Sequence, residues 1–149
     1  VEKVASFRVI YGDTDAMGIV YYANYLRWFE AGRVELLRSR GYAYREVTGA
    51  ELHLPVVESH ANYRASARYD DVLDVYAEIV ELRGARLTFA YRILRSGDDR
   101  LLVEGHTTHA FVDSSGRPVR PNERMRAMFA PSGGHAEQQG VERGSQPSA

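Results

Sequence analysis

Apolar positions along this chain change their period once, and the change separates one helix from a run of strands. Residues 4–10, VASFRVI, are rich in β-formers and predict a first strand, which YGDT (11–14) breaks. Between Ala23 and Arg40, Tyr25, Phe29, Gly32 and Leu36 fall at i, i+4, i+7 and i+11, with Trp28 and Leu37 beside them. That spacing is one broad stripe of an amphipathic helix, and it puts Arg27, Glu30, Arg33 and Arg38 mostly on the other side. Gly41 follows the last turn and suits a left-handed C-cap. A short helical turn is expected over 43–48.

From there on the period is two. LPVVESHANYRA (54–65) is one candidate strand. In VLDVYAEIVELR (72–83), Leu73, Val75, Ala77 and Ile79 alternate with Asp74, Tyr76 and Glu78. RLTFAYRILRS (86–96) repeats the pattern with Leu87, Phe89, Tyr91 and Ile93, and RLLVEGHTTHAFVD (100–113) reads as the returning strand. YDD (69–71), SGDD (96–99) and SSGRP (114–118) read as turns, and NERMRAMF (122–129) as a last helical turn. Short links between strands favour antiparallel pairing. The expected fold class is α+β: an antiparallel sheet packed around one long helix, with edges that subunit pairing would cover.

Composition narrows the chemistry. The 149 residues suit a single domain over 1–130, followed by PSGGHAEQQGVERGSQPSA (131–149), too poor in apolar surface to offset its ordering entropy and expected to be a flexible tail. A net charge of -1 argues against bulk nucleic-acid affinity and against a polybasic membrane anchor. No cysteine is present, which removes disulfides, thiol nucleophiles and thiolate metal sites together and fits a cytoplasmic location. No signal-peptide pattern and no bilayer-length apolar run is seen, so membrane insertion is not expected. Among the histidines, His106 and His109 are three apart and point to opposite faces of one strand, so they cannot chelate one metal there. No metal site is expected from them, nor from His53 or His60.

The informative stretch is YGDTDAMGIVYYANYLRWFE (11–30), where Asp13 and Asp15 stand just upstream of the helix. By local chemistry each carboxylate is either a turn or capping group or a reactive one. GDTDAMGIVYYANYLRWFE (12–30) resembles the signature of the 4-hydroxybenzoyl-CoA thioesterase family of the hotdog fold: an Asp, a short spacer with Gly, then Val-aromatic-aromatic-x-Asn-Tyr entering the central helix. ARYDDVL (67–73) and GRPVRP (116–121) extend the likeness, which covers roughly residues 4–130.

The resemblance implies a curved antiparallel sheet wrapped around the helix, and a homodimer or dimer of dimers with active sites at subunit interfaces. It implies an acyl-CoA substrate and no cofactor. Asp15 would attack the thioester carbonyl or activate the water that does. The backbone N–H of Tyr22 would hold the carbonyl oxygen, with Gly18 allowing a tight path between them. Tyr22 stands where many acyl-CoA relatives carry His, so no histidine base is available at that position. Tyr21 and Tyr25 would contact substrate, while Trp28 and Phe29 serve as pocket walls or core. His53 lies where the family supplies a second backbone contact, and Arg83 and Arg86 at a strand turn would take the coenzyme A phosphates. Asp13 is expected as a turn or cap carboxylate, and Asn24 as an N-cap or interface residue. Hydrolysis of thioesters on acyl carrier protein, and acyl-CoA sensing without turnover, are the competing readings. A hydratase is disfavoured because the motif holds no Asp/His pair.

Overall fold

The predicted elements form one antiparallel sheet and a helix laid across it. The computed structural model describes residues 1–43 and 52–132. Its elements are β1 (Lys3–Arg8), a 3-10 turn (Tyr11–Asp13), α1 (Asn24–Ser39), β2 (Val56–Tyr63), β3 (Val72–Arg83), β4 (Arg86–Arg95), β5 (Arg100–Ala110) and α2 (Glu123–Met128). The strand order is β1-β3-β4-β5-β2. Every neighbouring pair is antiparallel, and each contains a register irregularity of the kind that curls a sheet. This is the hotdog arrangement.

The stripe on α1 is buried as its spacing predicts: Tyr25, Trp28, Phe29, Gly32, Leu36 and Leu37 all face the sheet. α1 packs against β1, β3 and β4. Phe29 stacks on Tyr91, with ring centroids 4.3 Å apart and planes 6° from parallel. Two glycines make that contact possible. A Cβ on Gly32 would lie 2.8 Å from Val75 Cγ1. A Cβ on Gly105 would collide with the His60 carbonyl oxygen and lie 3.0 Å from Phe29 Cε2. The second helix is capped by Asn122, whose side chain accepts from Met125 N at 2.9 Å, and Phe129 then packs edge-on against Phe111. Arg40, at the end of α1, donates to the carbonyls of Met128 and Ala130, which ties the two helix ends together.

Two polar positions depart from the simple periodicity. Arg33, expected on the solvent side of α1, is only 8% exposed and lies 3.8 Å from Glu30. Its long aliphatic stem lets a cation sit on a mostly apolar face. Asp74, the polar partner in the β3 alternation, is buried because β1 covers it, and Ser6 Oγ donates to it at 2.7 Å. The strand predicted over 54–65 is regular only from Val56 to Tyr63, and the one over 100–113 ends at Ala110. Most of the helical turn expected over 43–48, and nearly all of the predicted tail, lie outside the described residues. Among the described residues no helix is long and apolar enough to cross a membrane.

Candidate active site

The motif folds as a tight hairpin hung in front of α1. Thr14 bridges Val20, Asp15 N donates to Ile19 O at 2.9 Å, and Gly18 N donates back to Asp15 O at 2.9 Å. Gly18 closes this turn at φ +79, a left-handed conformation that a Cβ would strain. Val20 N donates to Ala67 O and Ile19 bridges Arg68, so the hairpin is docked just ahead of β3. Asp15 is half-buried; its Oδ1 accepts from Met17 N at 2.9 Å, and among the described residues its other oxygen has no recorded partner. The local turn role therefore uses one of the two carboxylate oxygens.

The hairpin leads directly into the N-terminus of α1. Tyr21 N donates to Asp13 O and Asn24 N to Tyr21 O, both at 2.9 Å, while the amides of Tyr22 and Ala23 between them have no recorded partner among the described residues. These amides stand at the positive end of the α1 dipole. Asn24 is not the N-cap, which is Ala23; it is the first helical residue, and its side chain donates to Asp13 O at 2.8 Å.

Aromatic side chains surround the entrance. Tyr21 and Tyr22 are exposed with rings 4.7 Å apart, and Tyr63 stands 6.1 Å from Tyr22 and 5.8 Å from Tyr25. A groove of about 410 Å³ runs between Val20, Tyr22, Tyr25, Tyr63 and Ala65. Hydrogen bonding to the Tyr22 phenol, with the Asp15 charge adding to it, holds the Tyr21 phenol above its ordinary pKa. Burial does the same to Tyr25, whose hydroxyl oxygen accepts from Ala67 N. Of the predicted residues, Tyr22 and Tyr25 line this groove and Tyr21 stands beside Tyr22, within reach of the Asp15 charge; Asp15 and Gly18 are on the hairpin and do not line the groove, and Trp28 and Phe29 are core.

The other three predicted residues sit elsewhere. Arg83 and Arg86 face each other across the two-residue turn at Gly84 and Ala85, both exposed and with no recorded partner among the described residues. Phe111 N donates to Ala85 O, and Val112 exchanges both backbone hydrogen bonds with His53, so His53 lies at this same end of the sheet. Its amide is occupied by Val112 O at 2.9 Å, which leaves its exposed ring as the available group. The Asp15 hairpin is anchored before the first residue of β3 and Arg83 is the last, so the two groups stand about 35 Å apart along a strand rising roughly 3.3 Å per residue. Within one chain they do not form one pocket.

His106 and His109 do point to opposite faces. His106 is on the outer face, stacked on His60 and 3.0 Å from Glu58. His109 is fully buried and belongs to a polar chain that no local pattern announces. Tyr91 and Thr107 hydroxyls are 2.6 Å apart, Thr107 Oγ1 is 2.8 Å from His109 Nε2, and His109 Nδ1 donates to Leu54 O at 3.0 Å. Burial, reinforced by the Arg33 charge and opposed by the Leu54 carbonyl, pulls this imidazole down to a pKa of about 4. Among the described residues no three His, Asp or Glu side chains are placed to hold a metal ion.

The model of the thioesterase-like superfamily matches residues 9–129, which includes the hairpin, both helices and strands β2 to β5, and begins just after β1. The chain belongs to the thioesterase-like superfamily. Within it, the acyl-CoA thioesterase YbgC of Haemophilus influenzae is 39% identical over 124 residues, spanning 82% of this chain and 90% of that protein. The acyl-CoA thioester hydrolase YbgC of Escherichia coli is 36% identical over 106 residues, spanning 71% and 78%. The crystal structure of the hypothetical protein TT1821 from Thermus thermophilus superposes with a TM-score of 0.79 at 35% identity, covering 87% of this chain and 98% of that one.

Proposed function

We propose that this protein hydrolyses acyl-CoA thioesters, with Asp15 as the catalytic carboxylate. The observation that carries the reading is the half-buried Asp15, one oxygen held by Met17 N, suspended on a hairpin that runs into the unpaired amides of Tyr22 and Ala23. The names of the Haemophilus and Escherichia relatives support the acyl-CoA substrate. In the reaction, water's oxygen is joined to the acyl carbon and the carbon–sulfur bond breaks. One proton ends on the coenzyme A thiol and the acid ionises. Asp15 acts either as a base that takes the water proton and passes it to the leaving sulfur, or as a nucleophile whose mixed anhydride is then cleaved by water. The Tyr22 amide receives the charge that develops on the carbonyl oxygen, a preorganised donor of the type worth about 3 kcal/mol.

The separation of the two groups of residues supports a site shared between subunits. β2 is an edge strand, exposed along most of its length, with Val56, Val57 and Tyr63 among its solvent-facing apolar groups. A second copy paired antiparallel along β2 would bring its Val56 end, and with it His53 and the β3–β4 turn, toward the first chain's Tyr63 and Asp15. In that dimer Arg83 and Arg86 of one subunit serve the coenzyme A phosphates in the site of the other, which suits their paired donors.

Asp15→Asn tests the reading. Turnover of acyl-CoA, followed by release of free thiol, should fall at least about a hundredfold while coenzyme A binding is kept. Unchanged turnover would remove Asp15 from the chemistry. Solvent oxygen labelling of Asp15 in a single turnover distinguishes the nucleophile from the base.

A further inference from the structure

Asp13 has more partners than a turn residue needs, and all of them lie at the two ends of the hairpin that holds Asp15. Asp13 is 5% exposed. Its Oδ2 accepts from Ile10 N at 3.0 Å and its Oδ1 from Arg27 Nη2 at 2.6 Å. Its carbonyl oxygen accepts twice, from Tyr21 N at 2.9 Å and from the Asn24 side-chain amide at 2.8 Å. Ile10 is where the chain leaves β1; Tyr21 is where it leaves the hairpin; Asn24 and Arg27 lie on the first turn of α1. The Arg27 guanidinium also lies 5.4 Å from the centre of the Trp28 ring, itself seated in the core.

We infer that Asp13, Asn24 and Arg27 form a positioning clamp that fixes Asp15 relative to the Tyr22 amide. The inference rests on the function proposed above. The geometry behind it is short and closed. Asp15 is two residues beyond Asp13, and Tyr22 is one residue beyond Tyr21, whose amide is bonded to Asp13. The carboxylate and the amide donor are therefore two arms leaving one hydrogen-bonded junction, and the junction is locked to α1 by Asn24 and Arg27. None of the three clamp side chains touches the substrate in this scheme. Their role follows from the steep dependence of catalysis on placement, where about 1 Å of misplacement can cost on the order of a hundredfold in rate.

The test uses the full-length protein and two variants beside Asp15→Asn. Arg27→Met keeps an unbranched stem of similar length at an exposed position and removes the ion pair together with the guanidinium over the Trp28 ring; Asn24→Ala removes only the amide-to-carbonyl bond. Both should melt within a few degrees of the parent, lose about tenfold or more in kcat, and change KM by less than about twofold. Arg27→Lys should recover part of kcat. If Asp15→Asn abolishes turnover while folded Arg27→Met and Asn24→Ala keep the parent kcat, the clamp is wrong and the site reading stands. If Asp15→Asn keeps full turnover, the site reading fails and the clamp fails with it. Loss of folding in both clamp variants would make these residues stability elements and overturn the proposal.

Discussion

Acid should weaken this fold through one buried residue, beginning at a pH above the usual carboxylate range. His109 is fully buried and neutral, with a pKa of about 4 against 6.5 for an ordinary imidazole. The unfolded chain takes up a proton near pH 6.5, and the folded one resists until about pH 4. The contribution of His109 is therefore intact above pH 6.5 and is lost progressively as the pH falls toward 4. At about 1.4 kcal/mol per pH unit, the full loss is about 3 kcal/mol, with about 2 kcal/mol gone by pH 5. Urea unfolding at fixed protein concentration from about pH 7.5 to about pH 4.5 reads this directly. With a urea slope of roughly 2 kcal/mol per M, the midpoint should fall by about 1 M between neutral pH and pH 5. His109→Gln keeps an amide donor and acceptor in the buried chain but has nothing to titrate. Its midpoint should be lower than the parent's at neutral pH and nearly flat across the window. Every other titratable group is common to both proteins and cancels in the difference. Parallel pH dependences for parent and variant would refute the assignment.

Two further outcomes test the packing and the substrate. Gly105→Ala should cost about 2–3 kcal/mol or more and loosen β2, seen as faster amide exchange along Val56–Tyr63, because the new methyl meets the His60 carbonyl and the Phe29 ring with no flexible neighbour to yield. Arg83→Ala and Arg86→Ala should raise KM for coenzyme A thioesters and leave a truncated pantetheine thioester unaffected; equal effects on both would remove the phosphate role.

Much of the fold was legible in the sequence because its two periodicities are clean. The α1 stripe is buried residue for residue, and Leu73, Val75, Ala77 and Ile79 line the inner face of β3 with Leu87, Phe89, Tyr91 and Ile93 on β4. The left-handed turn at Gly18 was legible from the residue type alone. What was not legible depends on distance in space. Arg33 looks solvated on a helical wheel because the wheel does not show how far the sheet curls around it. Asn24 has the residue type of a cap, but its acceptor is the carbonyl of Asp13, eleven positions back. The buried Tyr91–Thr107–His109 chain needs the β4–β5 register, which pairs Phe89 with Thr107 and cannot be counted from either strand alone. The division of His53, Arg83 and Arg86 from Asp15 follows from the twelve-residue length of β3, readable in principle, and from the strand order, which is not.

Gly32 and Gly105 carry a consequence for how such a protein can diversify. One is an empty position on the helix and the other an empty position on the sheet, and together they set how far along the strands α1 comes to rest. A shift of one helical turn would drive bulky side chains into both gaps. The axial placement of the helix is thus decided at its middle, by two atoms that are not there, while the amides of Tyr22 and Ala23 ride at its tip. Residues around the tip can then be exchanged to accept a different acyl group without moving the amides, and replacement of either glycine should disturb hydrolysis of every substrate alike.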